Sequence, residues 1–280
     1  MEKYLLIDGN SVLFRGYYAT FKANLKTSTG IPTGAVKAFI NMVRKSVQTY
    51  KPTHILVAFD KGKNTFRHKE FEDYKAGRRQ TPNDLITQLP IAREFLNAVN
   101  IKWYENDELE ADDIVGCMKT VIEKNNIEDY QIDILTSDRD LLQLIDNKTV
   151  VHLMKSGITD TKEMTHQSFV EEWGFAPKEI IDYKALVGDK SDNIPGVKKI
   201  GEKTGQSLVI QFGTIENIYE NLNEIPERTK LLLEADKDNA FKCKRLATIL
   251  TDYDMKISIE DIRRKDRACP EFYQKYEMKF

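Results

Sequence analysis

With 280 residues, 41% of them hydrophobic and 31% charged, the chain carries enough apolar sequence for one large domain or two moderate ones. It has no run of roughly 18 apolar residues, which excludes a membrane-spanning helix, and its apolar start meets Asp8 too early for a signal peptide. Cys117, Cys243 and Cys269 are scattered and form no Cys-x-x-Cys pair, which argues against a disulfide framework or a zinc site, so we expect an intracellular protein.

Three apolar runs, residues 4–8, 54–60 and 132–138, end in Asp8, Asp60 and Asp138. The first two read as strands buried on both faces. Helical stretches lie at about 34–50, 83–98 and 110–125. Strands alternating with such helices predict an α/β fold with a parallel sheet, whose sites form at the carboxyl ends of the strands. Residues 150–154 are a further strand candidate. From about 163 the pattern turns helical: Thr165 precedes Phe169, Val170, Trp173 and Phe175, and Pro177 opens a helix over 178–187. A boundary is expected between 160 and 165, after a turn at 157–160.

The acids are clustered. Beyond the three strand-end residues, Glu108, Glu110, Asp112 and Asp113 crowd one helix start, where capping alone would use fewer. Glu110 and Asp113 are three apart and share a face, while Asp112 is turned aside. Asp140 follows Asp138, and Asp189 and Asp192 lie in a Gly/Pro-rich loop ending at Gly196. Each is ordinary alone, as a cap or a solvated turn. Together, Asp8, Asp60, Glu110, Asp112, Asp113, Asp138, Asp140, Asp189 and Asp192 point to hard divalent cations, because uncompensated carboxylates repel and oxygen-only ligands suit Mg²⁺ or Mn²⁺. Two such ions can hydrolyse a phosphodiester.

Residues 61–79 carry seven Lys or Arg against three acids, with Phe66, Phe71 and Tyr74 interleaved. Such a run is most often a solvated face, but it follows directly on Asp60 and can grip phosphates and stack on bases. Residues 196–205, with Gly201, Lys198, Lys199 and Lys203, sit between two helices and can offer backbone N–H groups and lysines to a phosphate backbone.

Seven stretches carry a resemblance. They are Leu5 to Ser11, Val57 to Asp60, Phe66-Arg-His, Tyr74 to Arg78, Glu110 to Asp113, Thr136 to Leu141, and Ala185 to Gly196. On these the chain, over about residues 1–250, resembles the 5′ nuclease and flap endonuclease family, including the N-terminal 5′-3′ exonuclease domain of bacterial DNA polymerase I and its stand-alone relatives.

The resemblance implies a PIN-like, Rossmann-like catalytic domain over 1–162, with a helical arch at about 62–95 whose helices are broken at Pro82 and Pro90. A helical DNA-binding domain follows over 163–280, with a helix–three-turn–helix at about 190–210. It implies two metal sites. Asp8, Asp60, Glu110, Asp112 and Asp113 would serve the first with Asp138 and Asp140 near it, and Asp189 and Asp192, with part of the Asp138–Asp140 group, the second. Mg²⁺ would be the cofactor, with Mn²⁺ able to substitute, and the helix–three-turn–helix would take K⁺.

Lys75, with Arg78 or Arg79, would reach the scissile phosphate, Tyr74 would stack on the terminal base, and Lys184 would contact phosphate. Lys199 stands where the family has Gly, and Gly205 where it has Ala, which puts the turn geometry and K⁺ binding at issue. The partner would be branched, flapped or nicked DNA, including RNA-primed Okazaki fragments, met by a stand-alone or polymerase-derived monomer. The setting would be the cytoplasm of a bacterial or phage-like system, at the nucleoid, in replication and repair. The rivals are a PIN-type ribonuclease, a non-catalytic junction binder, and an Asp-nucleophile phosphatase. The last lacks its second Asp, since Asn10 follows Asp8-Gly.

Overall fold

The computed structural model describes residues 1–78, 80–125, 128–155 and 160–279. Six strands form one sheet: β1 (Glu2–Asp8), β2 (His54–Asp60), β3 (Lys102–Asn106), β4 (Tyr130–Thr136), β5 (Thr149–Met154) and β6 (Thr161–Met164). Their spatial order is β3-β2-β1-β4-β5-β6, parallel from β1 to β5, with β6 antiparallel at one edge. β1 lies at the centre. Tyr4 and Leu6 face one core with Leu56 and Ile134, and Leu5 and Ile7 face the other with Ile55 and Val57. Burial on both faces explains why β1 is a continuous apolar run rather than an alternating one.

One face is covered by α1 (Gly9–Thr20) and α2 (Gly34–Tyr50). After β2 come α3 (Phe66–Glu70), α4 (Asn83–Ile86) and α5 (Gln88–Ala98), the last returning to α2 through Ile91, Ala92, Phe95 and Leu96. The opposite face takes α6 (Ala111–Lys124), through Ile114, Met118 and Ile122. The helical half adds α7 (His166–Trp173), α8 (Ile180–Val187), α9 (Glu202–Phe212), α10 (Ile215–Glu220), α11 (Glu227–Ala235) and α12 (Lys237–Ala247). Its core is continuous with the α6 face: Ile180, Leu186 and Leu246 belong to the same buried cluster as Met118 and Leu142. The chain then returns to the sheet. The Arg264 N–H donates to the Thr53 carbonyl at 2.8 Å, and α13 (Pro270–Lys275) sets Phe272 against Phe95, ring centroids 5.6 Å apart.

Four strands lie where the apolar runs predict them. β3 and β6 escape the sequence because both are short edge strands of mixed polarity, Lys-Trp-Tyr-Glu-Asn and Thr-Lys-Glu-Met, without an alternating pattern. The expected turn at 157–160 lies, apart from Asp160, outside the described residues.

Within the segment 62–95 expected as an arch, Leu85 and the buried face of α5 pack in the core. α4 ends at Ile86 and α5 restarts at Gln88, so the helical run is interrupted beside the Ile86 carbonyl, which the missing Pro90 N–H would have bonded.

Between α8 and α9, Lys199 adopts φ 69°, a left-handed conformation that strains a side-chain-bearing residue where Gly would sit freely. Gly205 has the opposite reason: a Cβ there would lie 2.4 Å from Val187 Cγ2, so in this chain even Ala would require Val187 to give way.

Candidate metal centre

The carboxyl ends of β1, β2 and β4 lie at the point where the chain order reverses about β1, and α6 starts beside them. Asp8, 4% exposed, caps α1 by accepting the Ser11 N–H at 2.9 Å, and its other oxygen accepts the Thr136 hydroxyl at 2.8 Å. Asp60 accepts the Ala111 N–H at 2.7 Å, tying β2 to the start of α6. It also accepts Asn10 Nδ2 at 3.1 Å while its own N–H donates to Asn10 Oδ1. Beyond β4, the Asp138 N–H donates to Thr136 Oγ1 and the Asp140 N–H donates to Asp138 Oδ1, both at 2.9 Å. Asp112, Asp138 and Asp140 each offer a carboxylate oxygen within 4.8 Å of the others.

These acids are short of positive charge. Burial pushes the Asp8 carboxyl up to about 6, with Asp60 and Asp138 adding repulsion against the help of the Ser11 hydrogen bonds. Burial, then Asp138 and Asp8, raises Asp112 well above the carboxylate range. Asp138 is raised by burial and by Asp192 despite Lys184, and Asp60 by burial despite the Ala111 N–H. Asp189 behaves oppositely. Burial would raise it, but Lys184 and the Ser191 hydrogen bonds outweigh that and hold it near 2.

Bases of the segment after β2 supply part of the missing charge. Lys75 Nζ lies 2.8 Å from Glu110 Oε1 and 3.9 Å from Asp192, and Arg78 Nη2 lies 2.5 Å from Asp192 Oδ1. The backbone of that segment also docks on the second acidic loop: the Lys75 N–H donates to the Asp192 carbonyl at 3.0 Å, and Asn193 Nδ2 donates to the Asp73 carbonyl at 2.8 Å. Eight of the nine acids thus meet in one neighbourhood, linked through Thr136, Lys184, Lys75 and Tyr74.

The structure places three of the expected site residues among internal partners. Asp113 is fully buried. Its oxygens accept Arg67 Nη1 and Nη2 at 2.7 and 2.8 Å and the Leu250 N–H at 2.9 Å, and it closes a capping box on the Glu110 N–H at 3.1 Å. With its acceptor sites used, it anchors the fold. Tyr74 is 4% exposed and does not present its ring to a base. Its hydroxyl lies 3.0 Å from Glu110 and 2.9 Å from Asp192, and its single proton serves one at a time. Lys184 is buried between Asp140 and Asp189, 2.6 Å from the latter, and balances acids rather than facing an open phosphate track.

Lys198, Lys199, Gly201 and Lys203 are exposed together at the α8–α9 turn, and Arg79 lies outside the described residues. Sequence reasoning missed Arg67, Asn10 and Thr136. The signal for Thr136 was a hydroxyl at the end of an apolar strand, and for Arg67 a base set in the Phe66-Arg-His motif.

Comparison with known proteins decides the family. The model of the 5′-3′ exonuclease N-terminal resolvase-like domain matches residues 3–174, and that of the 5′-3′ exonuclease C-terminal SAM fold matches residues 175–268. The chain belongs to the 5′-3′ exonuclease family.

Its relatives include DNA polymerase I of Lactococcus lactis, 40% identical over 99% of this chain and 32% of that protein. DNA polymerase I of Geobacillus stearothermophilus is 46% identical over 93% and 29%. The chain thus spans about a third of the length of these exonuclease-family relatives. Among solved structures, T5 5′-exonuclease with bound zinc superposes with a TM-score of 0.72 at 22% identity, covering 89% of this chain and 90% of that one. The catalytic core of Rad2 in complex with DNA substrate gives 0.59 at 15%, covering 98% and 88%. At these identities the likeness shows the shared fold: a mostly parallel sheet flanked by helices, followed by a helical SAM-like part.

Proposed function

We propose that the chain is a structure-specific 5′ nuclease, acting as 5′-3′ exonuclease and flap endonuclease at single-strand/double-strand junctions in DNA, in replication and repair. The observation that carries the reading is the convergence of Asp112, Asp138 and Asp140 oxygens within 4.8 Å, beside Asp8 and beneath the arch bases. Oxygen-only donors such as Asp112 and Asp138, whose carboxyl pKa values are raised by burial and then by neighbouring carboxylates, fit hard divalent cations, with Mg²⁺ the proposed ion and Mn²⁺ a substitute.

Asp8, Asp60, Glu110, Asp112, Asp138 and Asp140 form the first proposed ligand group, and Asp189 and Asp192 the second. When bound, two divalent ions there supply water activation and charge neutralisation at the leaving oxygen. The chain's own residues do the rest. Lys75 and Arg78 exchange their acid partners for the scissile phosphate and stabilise its developing charge. Lys184 holds Asp140 and Asp189 at a fixed separation. Tyr74 orients Glu110 and Asp192 through its hydroxyl. The exposed Lys198, Lys199 and Lys203, with Gly201 at the start of α9, grip the duplex without reading sequence.

In this reading residues 1–162 are the catalytic unit and 163–280 the duplex-holding unit, with the stretch after 249 folded back on the first. A K⁺ ion at the α8–α9 turn, a monomeric state, cytoplasmic action at the nucleoid, and RNA-primed Okazaki fragments among the substrates belong to the same proposal. Duplex affinity in KCl against NaCl at equal ionic strength tests the K⁺ site.

The deciding experiment is cleavage of a 5′-flapped duplex labelled on the flap, in Mg²⁺ and in EDTA. We expect a short 5′ product in Mg²⁺ alone. Tight binding without cleavage in Mg²⁺ or Mn²⁺ overturns the reading in favour of a junction binder, and preferential cleavage of single-stranded RNA favours a PIN-type ribonuclease.

A further inference from the structure

Residues 246–250, at the end of α12 and just beyond it, have their backbone polar groups taken up by buried side chains of the sheet domain. Arg67 Nε donates to the Leu246 carbonyl at 2.9 Å and Arg67 Nη2 to the Thr248 carbonyl at 2.8 Å. Gln143 Nε2 donates to the Ala247 carbonyl at 3.1 Å, and Gln143 Oε1 accepts the Ile249 N–H at 2.9 Å. Asp113 accepts the Leu250 N–H. The segment runs against α6 at Gly116, where a Cβ would lie 2.6 Å from Ile249 Cγ2 and 2.8 Å from the Leu250 carbonyl oxygen.

The same side chains touch the acid cluster from behind. Arg67 Nη1 donates to Glu110 Oε2 at 3.1 Å, and Gln143 Nε2 donates to the Asp140 carbonyl at 2.9 Å. Glu110 heads α6 and Asp140 follows β4, so two separate parts of the cluster are referenced to one five-residue segment of the helical half.

We propose that Arg67 and Gln143 are positioning residues, and that residues 246–250 are the rail on which they set the spacing between the α6 acids and the Asp138–Asp140 pair. The inference rests on the reading of those acids as metal ligands. The residue types fit the task. Arg67 spends all five of its N–H groups on Leu246, Thr248, Glu110 and Asp113, a fork that Lys cannot reproduce. Gln143 donates twice and accepts once, whereas Glu would set a charge against two carbonyls. Both are nearly buried, at 3% and 8% exposure, and neither faces substrate. The helical half then does more than hold DNA: it fixes the geometry of the catalytic carboxylates.

The test is calorimetric titration of the whole chain with Mg²⁺, without DNA, for Gln143→Leu, Arg67→Lys, Asp140→Asn and Ile218→Val, the last trimming a buried side chain that takes part in none of the rail hydrogen bonds. Circular dichroism selects temperatures at which each is folded. Gln143→Leu and Arg67→Lys are expected to weaken Mg²⁺ binding about tenfold, as partners behind metal ligands do. On flapped DNA they lower kcat with KM nearly unchanged, while Ile218→Val leaves Mg²⁺ affinity at the wild-type value. Folded Gln143→Leu with wild-type Mg²⁺ affinity overturns the proposal, and decides it alone should Arg67→Lys not fold. Equal weakening in Ile218→Val also overturns it, since general loosening would then suffice. Unchanged affinity in Asp140→Asn sinks the ligand assignment itself, and the rail with it.

Discussion

Two neighbouring carboxylates in the first turn of α6, Asp113 buried and Asp112 half-buried, are treated in opposite ways. Asp113, at the first turn of α6, is matched by the Arg67 guanidinium and two backbone N–H groups. Asp112, the residue before it, faces Asp138 and Asp8, and its carboxyl is driven well above the ordinary range. A carboxylate that the fold itself neutralises is structural. One left with like-charged neighbours marks a place where the charge must come from outside. Helix position and residue type are nearly the same, so the difference lies in what each side chain meets.

Breaking the satisfied group should have the largest effect on stability. Asp113→Ala leaves Arg67 buried with its main partner gone, and is expected to destabilise the fold by about 3–5 kcal/mol. Urea denaturation in EDTA measures it. A loss below about 1 kcal/mol would erase the contrast.

The unsatisfied group should behave in reverse. Asp138→Ala is expected to reduce single-turnover flap cleavage on the order of 10³-fold, about 4 kcal/mol of barrier, without lowering the melting temperature in EDTA. A fall in melting temperature would place Asp138 with Asp113.

Proton linkage sharpens the same comparison. Asp8 is raised from 3.8 to about 6, so between those values the metal-free folded state holds a proton that the unfolded chain has lost. Stability in EDTA is expected to fall as pH rises through that window, by up to about 3 kcal/mol from this group. Asp189, held near 2, contributes in the other direction: its stabilisation is full above 3.8 and is lost as pH drops toward 2. Denaturation at pH 4 and pH 7 with Asp8→Asn as the reference isolates the first effect, and a variant as pH-sensitive as the parent would refute it.

The smallest expected change lies outside both groups. Lys199→Gly relieves a left-handed backbone and should stabilise by about 1 kcal/mol, while weakening duplex binding through the lost charge. Thermal melting and duplex affinity read the two effects separately.

The central strands and the position of the acids were legible in the sequence because a strand buried on both faces must be apolar, and its terminal Asp then stands out. Whether 88–98 packs on the core or stands away from it was not legible, because an amphipathic pattern fits both, and the structure buries Ile91, Ala92, Phe95 and Leu96. Asp113, Tyr74 and Lys184 were expected as a metal ligand, a stacking ring and a phosphate contact, because sequence shows that they belong near the acids, not which way they turn. Arg67 and Gln143 sit 46 and 106 residues from partners that give them meaning, Asp113 and Ile249, and no local pattern announces such pairings.

What the sequence determined by itself was the inventory: a parallel sheet, an excess of carboxylates at its strand ends, a basic segment following β2, and helices to close the core. These follow from periodicity and composition, which act over a few residues. Only the tertiary structure decided which carboxylates are neutralised and which remain in want of charge. That depends on burial and on the few ångströms around each oxygen, and those neighbours are supplied by segments far apart in the chain.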